Sequence, residues 1–242
     1  MSLTNNPGRV AGILYLLLLA APLRLVYIPS KLFVAGNATA TANNIAAHET
    51  LFRLGIVGDL FTGTMAIFLV LALYRLFEGV EQNLGFVNLG VLMVILGGPM
   101  TAALYFFNVV NDAAALMLAR GADFLSVFDK PQRDALAMLF LRLHNQEVIA
   151  AEIFWGLWLI PLAILIYRSG FLPRFLGVWL TINGFAYVAL SFVGWLFAQY
   201  YAAAFNSAFP ALCGELALLL WLVIKGAKPK PLVAPASSAA GG

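Results

Sequence analysis

The sequence predicts an all-α, polytopic integral membrane protein with six transmembrane helices and both termini in the cytoplasm. Three observations carry that prediction. Hydrophobic residues make up 62% of the chain and charged residues only 10%, a balance a water-soluble fold does not carry. Six long apolar runs occupy most of the 242 residues. A bilayer crossing takes about 20 helical residues at a rise of about 1.5 Å each, so six crossings leave no room for a separate soluble domain. A six-helix transmembrane domain over residues 1–227 is therefore expected, followed by a Pro-, Ala-, Ser- and Gly-rich tail over 228–242 that should be disordered.

The first run extends from Val10 to Ile28 and is broken by Pro22 and Arg24. Arg9 ahead of an apolar stretch, with small Ala20 and Ala21, also fits a signal peptide. The apolar character resumes through Leu25-Val26-Tyr27-Ile28, which argues for a retained helix. A polar stretch from Pro29 to Glu49 follows, with a glycosylation-type Asn37-Ala38-Thr39 of a kind frequent by chance. The second run covers Thr50 to Phe77 and the third Leu84 to Val110. Gly97-Gly98-Pro99 should kink the third, because proline removes a helix donor and crowds the preceding turn. Residues Asn111 to Asp134 are polar enough to lie outside the membrane, and Asp134 to Leu143 reads as an amphipathic lead-in. The fourth run goes from His144 to Tyr167 and the fifth from Pro173 to about Tyr200. The sixth must begin before Pro210, since Pro210 to Ile224 alone would span only about 22 Å.

Lys and Arg in short loops set orientation. Arg9, Arg75, Arg168, Arg174, Lys225, Lys228 and Lys230 fall on one side, which becomes the cytoplasmic one. Arg120, Lys130 and Arg133 oppose this, beside Asp123, Asp129 and Asp134. The net charge of +3 is small and no basic stripe is present, so nucleic acid is excluded as a partner. Cys213 is the only cysteine, which excludes an internal disulfide and a cysteine zinc site. No internal repeat is visible that would support an inverted transporter duplication.

Several segments carry a family pattern. They are Leu143-His144, Ile153-Phe154-Trp155-Gly156-Leu157-Trp158-Leu159-Ile160-Pro161 and the hairpin Arg168-Ser169-Gly170-Phe171-Leu172-Pro173-Arg174. Upstream are Asn44-Ile45-Ala46-Ala47-His48-Glu49, Leu51-Phe52-Arg53-Leu54-Gly55 and Ala72-Leu73-Tyr74-Arg75-Leu76-Phe77. Together they resemble a bacterial membrane-protein family, domain of unknown function 4386. The resemblance covers nearly the whole chain. It implies a six-helix bacterial inner-membrane protein, with motif positions at His48, Arg53 and His144, and it implies no activity.

Charges inside apolar runs cost free energy in a bilayer, so their positions are the best functional clue. Helix rise places Arg24 and Asp59 in the outer part of their helices, Asn108 and Asp112 at the outer end of the third, His144 and Glu147 at the outer end of the fourth with Glu152 about one and a half turns deeper, and Glu215 near mid-membrane. On the fourth helix His144, Glu147 and Ala151 fall within about 60° of one another, and Glu152 lies about 80° from His144. A polar pocket built by Arg24, Asp59, His144, Glu147, Glu152 and Glu215 follows as a candidate ligand site.

Two chemistries suit such a set. Buried carboxylates hold a cation, a proton or a lipid headgroup. Carboxylates beside a neutral imidazole also ligate a divalent metal, as in an intramembrane hydrolase, although two histidines fall short of the usual three-ligand zinc patterns. Structural readings compete with both: Asp59 paired with Arg24 or Arg53, His144 and Glu147 meeting headgroups or water, and Glu215 hydrogen-bonded to a neighbouring helix. Bis-His haem ligation by His48 and His144 has no other support, and Ser126, Ser169 and Ser191 lack a nucleophile context. A sensor or accessory subunit that binds another membrane protein, or a homo-oligomer, stays open, because abundant Ala and Gly permit close helix packing. Trp195, Tyr200 and Tyr201 suit an aromatic belt at the outer interface.

Overall fold

The computed structural model describes residues 6–18, 21 and 23–229. Helices dominate: α1 (Pro7–Leu17), α2 (Ile28–Leu32), α3 (Ala38–Ala47), α4 (Glu49–Leu76), α5 (Leu89–Ile95), α6 (Thr101–Arg120), α7 (Lys130–Ser169), α8 (Arg174–Leu196) and α9 (Tyr201–Ile224). A two-residue hairpin pairs β1 (Asn83–Leu84) with β2 (Val87–Asn88) before α5. Among the described residues five helical spans are long and apolar enough to cross a membrane: Glu49–Leu76, Leu89–Arg120, Lys130–Ser169, Arg174–Leu196 and Ala198–Ile224. Helix α1 is apolar but shorter. The expected disordered tail lies almost wholly outside the described residues, as does Pro22.

Local sequence explains where the helices start and stop. Helix α7 opens with a capping box, in which the Asp129 side chain accepts from Gln132 N–H and the Gln132 side chain accepts from Asp129 N–H. It closes at Gly170, whose φ of 67° suits glycine in a left-handed cap. Asn37 caps α3 by accepting from Ala40 N–H at 2.9 Å, so the Asn37-Ala38-Thr39 stretch serves here as a helix start. Gly97-Gly98-Pro99 forms a π-helical turn over Leu96–Met100 between α5 and α6. The proline has no N–H to keep the α-helical ladder, which the wider turn accommodates.

Helix α7 is the hub, packing on α3, α5, α6 and α8. It approaches α8 closely: a Cβ on Gly184 would lie 2.8 Å from the Gly156 carbonyl oxygen. Small residues at such crossings let backbones meet without a water-driven force. Two apolar cores result. One gathers Leu69, Leu73, Met93, Leu159, Leu162 and Leu222; the other gathers Ile28, Ile45, Phe52, Ala115, Leu116 and Leu141. On α4 and α7 the buried acids and His144 lie between these cores in sequence, so a polar band separates them. Exposed Leu54, Val57, Phe61, Phe68 and Leu71 recur at helical spacing on α4, an apolar stripe suited to lipid.

Three boundaries differ from the sequence prediction. The polar stretch after Pro29 is not a plain connection, since α3 lies within it and packs on α6 and α7. Helix α6 continues ten residues past Val110 to Arg120, so Asp112 is an interior residue at 0% exposure. The lead-in Asp134–Leu143 is part of one 40-residue helix with the fourth run.

Candidate functional site

Four elements converge on a buried ionic cluster. Arg24 sits in a π-helical turn, Leu23–Tyr27, between the phenyl rings of Phe33 and Phe52 at 5.6 and 5.7 Å. Its Nε donates to Asp112 Oδ2 at 2.7 Å and a terminal nitrogen donates to Asp112 Oδ1. His144 Nδ1 lies 3.2 Å from Asp112 Oδ1. Asn108 donates to the His144 carbonyl oxygen at 3.1 Å, tying α6 to α7 beside the site. Asp59 is 2% exposed, and its Oδ1 has no hydrogen-bond partner among the described residues. One ligand atom each from Asp59, Asp112 and His144 lie within 4.8 Å of one another, a set able to hold a divalent ion. The Arg24 guanidinium already engages both Asp112 oxygens, and its charge opposes such an ion.

A second site lies deeper along α7. Glu152 and Glu215 line a cavity of about 630 Å³ together with Tyr105, Trp155 and Tyr187. Tyr201 donates to Glu152 at 2.5 Å, and Tyr15 donates to Glu215. Glu152 is 2% exposed and its Oε2 is unpartnered among the described residues. The rings interlock: Tyr105 stacks on Trp155 at 6.2 Å, and Tyr187 meets Trp155 edge-on at 5.9 Å. No Lys, Arg or His is among the described lining residues. Val26, Phe209 and Leu216 also line the cavity and are 66%, 56% and 47% exposed, so part of its wall reaches the apolar outer face. A neighbouring cavity of about 450 Å³ is lined by Arg24 and His144, and Leu25 and Asn145 border both spaces.

The predicted pocket is thus divided between two adjoining sites. Arg24, Asp59 and His144 meet at the ionic cluster, while Glu152 and Glu215 share the cavity. Glu147 belongs to neither and accepts from Asn111 at 3.2 Å. The expected pairing of Asp59 is corrected: Arg24 pairs with Asp112, and Arg53 pairs with Glu49 at 2.6 Å. His144 is buried, at 3% exposure, and faces Asp112. His48 is exposed, with Nδ1 3.0 Å from the Asn44 carbonyl oxygen, so it does not share a buried site with His144. For Glu215 the hydrogen bond to a neighbouring helix, the structural alternative, is present and is donated by Tyr15 of α1. Tyr201 turns inward to Glu152, unlike Tyr200, which stays 61% exposed as a belt residue would. Sequence reasoning left Asp112 out of the pocket because it falls in a stretch polar enough to read as a loop. It passed over Tyr15, Tyr105 and Tyr187, whose only signal is a hydroxyl inside an apolar run.

Fold and site define the class: an all-α, membrane-type helical protein with ionisable groups buried midway along its helices. Residues 10–226 match the model of the family described as Domain of unknown function (DUF4386), and the chain belongs to that family. No curated protein and no solved structure matches the chain.

Proposed function

We propose that the chain is a six-span bacterial inner-membrane protein, both termini cytoplasmic, that binds or passes a small ligand in the cavity of Glu152 and Glu215. The observation that carries this is a cavity of about 630 Å³, bounded mainly by apolar and aromatic side chains, into which two carboxylates converge. That combination is the usual form of a small-molecule site. Burying two acids in a membrane interior is costly, and tyrosine hydroxyls offset only part of that cost. An even number of crossings is supported by the start of α1 lying against the residues that follow α9: Gly8 N–H donates to the Ala227 carbonyl oxygen at 3.1 Å.

Native mass spectrometry with elemental analysis on gently purified protein tests the proposal. A retained organic molecule without stoichiometric metal is the expected result. A protein that is empty and retains no added small molecule removes it.

A second reading, an intramembrane metal-dependent hydrolase, is favoured by the grouping of Asp59, Asp112 and His144. Three protein ligands plus an activated water is the usual catalytic arrangement. It ranks second because Arg24 holds the shared carboxylate. Stoichiometric zinc, iron or manganese that is lost in His144→Ala and Asp59→Asn would promote it.

A further inference from the structure

We infer that the ligand of the Glu152–Glu215 cavity is a lipophilic organic cation, a protonated amine or quaternary ammonium, that enters sideways from the bilayer. The inference rests on the proposal that this cavity is a binding site.

Charge comes first. The two acids have no basic counterpart among the described lining residues. A ligand carrying phosphate or carboxylate, a phospholipid headgroup included, would place its anion beside them with nothing to neutralise it. Glu152 Oε2 has no donor among the described residues and is closed off from the cavity space, so the carboxylate must turn to present it to an ammonium N–H.

Shape and surface narrow the class. A space of about 630 Å³ suits an organic molecule rather than a proton or a bare metal ion. Hard cations take six or more oxygen ligands, and here the remaining wall is mainly apolar. Trp155, Tyr105 and Tyr187 line the same cavity as the two acids, and aromatic rings attract cations. Exposed Val26, Phe209 and Leu216 carry the cavity wall to the apolar outer face, the side from which a lipophilic ligand enters without crossing water.

Tetraphenylphosphonium and tetraphenylborate, near-isosteric ions of opposite charge, test the inference. Each is equilibrated with the full chain in nanodiscs of uncharged lipid, with protein-free discs as the blank. Binding is read by equilibrium dialysis and by quenching of tryptophan emission. The phosphonium is expected to bind and the borate to stay at the blank. The double variant Glu152→Gln/Glu215→Gln, whose amide oxygens still accept from Tyr201 and Tyr15, should bind the phosphonium at least about tenfold more weakly. Equal binding of both ions, or unchanged phosphonium affinity in the double variant, overturns the cation inference and leaves the cavity reading standing. Retention of neither ion above the blank removes the cavity reading as well. Should the double variant fail to fold, the wild-type comparison of the two ions decides alone.

Discussion

The pair of Arg24 and Asp112 is the part of the polar band most open to a quantitative test. The two side chains are 2% and 0% exposed and share two hydrogen bonds, so water can replace neither partner. Arg24→Met keeps much of the stem and removes the charge, leaving buried Asp112 and the unpartnered Asp59 together with only His144 beside them. Breaking a buried pair from one side costs about 3–5 kcal/mol, because an uncompensated charge remains. That is about two to three and a half orders of magnitude in the unfolding equilibrium. Asp112→Leu alone should cost a similar amount by stranding the guanidinium. The double variant Arg24→Met/Asp112→Leu should recover most of the loss, since both desolvation penalties vanish. Reversible unfolding in mixed micelles of rising dodecyl sulfate content gives all four corners of the cycle. Single variants within about 1 kcal/mol of wild type, or a double variant as unstable as the sum of the singles, would refute the reasoning.

Tyr201→Phe removes the donor to Glu152 and should destabilise the protein by about 1–3 kcal/mol. Tyr200→Phe, at an exposed position, should be near neutral in the same dodecyl sulfate unfolding series. Gly184→Ala would push a methyl group against the Gly156 carbonyl oxygen, so α7 and α8 must part, at a cost of about 1–3 kcal/mol in the same assay. For topology, green fluorescent protein should fluoresce when fused at either end and alkaline phosphatase should be inactive at both. Opposite reports from the two ends would remove the six-span proposal.

Periodicity and run length made the helices legible, because a bilayer demands long apolar segments whatever their packing. The start of α9 before Pro210 was legible for the same reason, from length alone. Asp112 was not: the polar residues around it read as a loop, and its partner Arg24 lies 88 positions away in the chain. Helical angles place His144 and Glu152 about 80° apart, yet about 12 Å of rise also separates them, enough to put them in different sites. The tyrosines that hold Glu152 and Glu215 were hidden because nothing distinguishes an inward hydroxyl from a belt residue until neighbouring helices are in place.

Electron cryomicroscopy of the protein in discs of native membrane, bound to an antibody fragment, tests the central claim most directly. The account predicts non-protein density inside the cavity, within hydrogen-bonding reach of Glu152 and against the ring of Trp155. A cavity collapsed onto its own side chains, or filled only by acyl-chain density remote from both carboxylates, would contradict it.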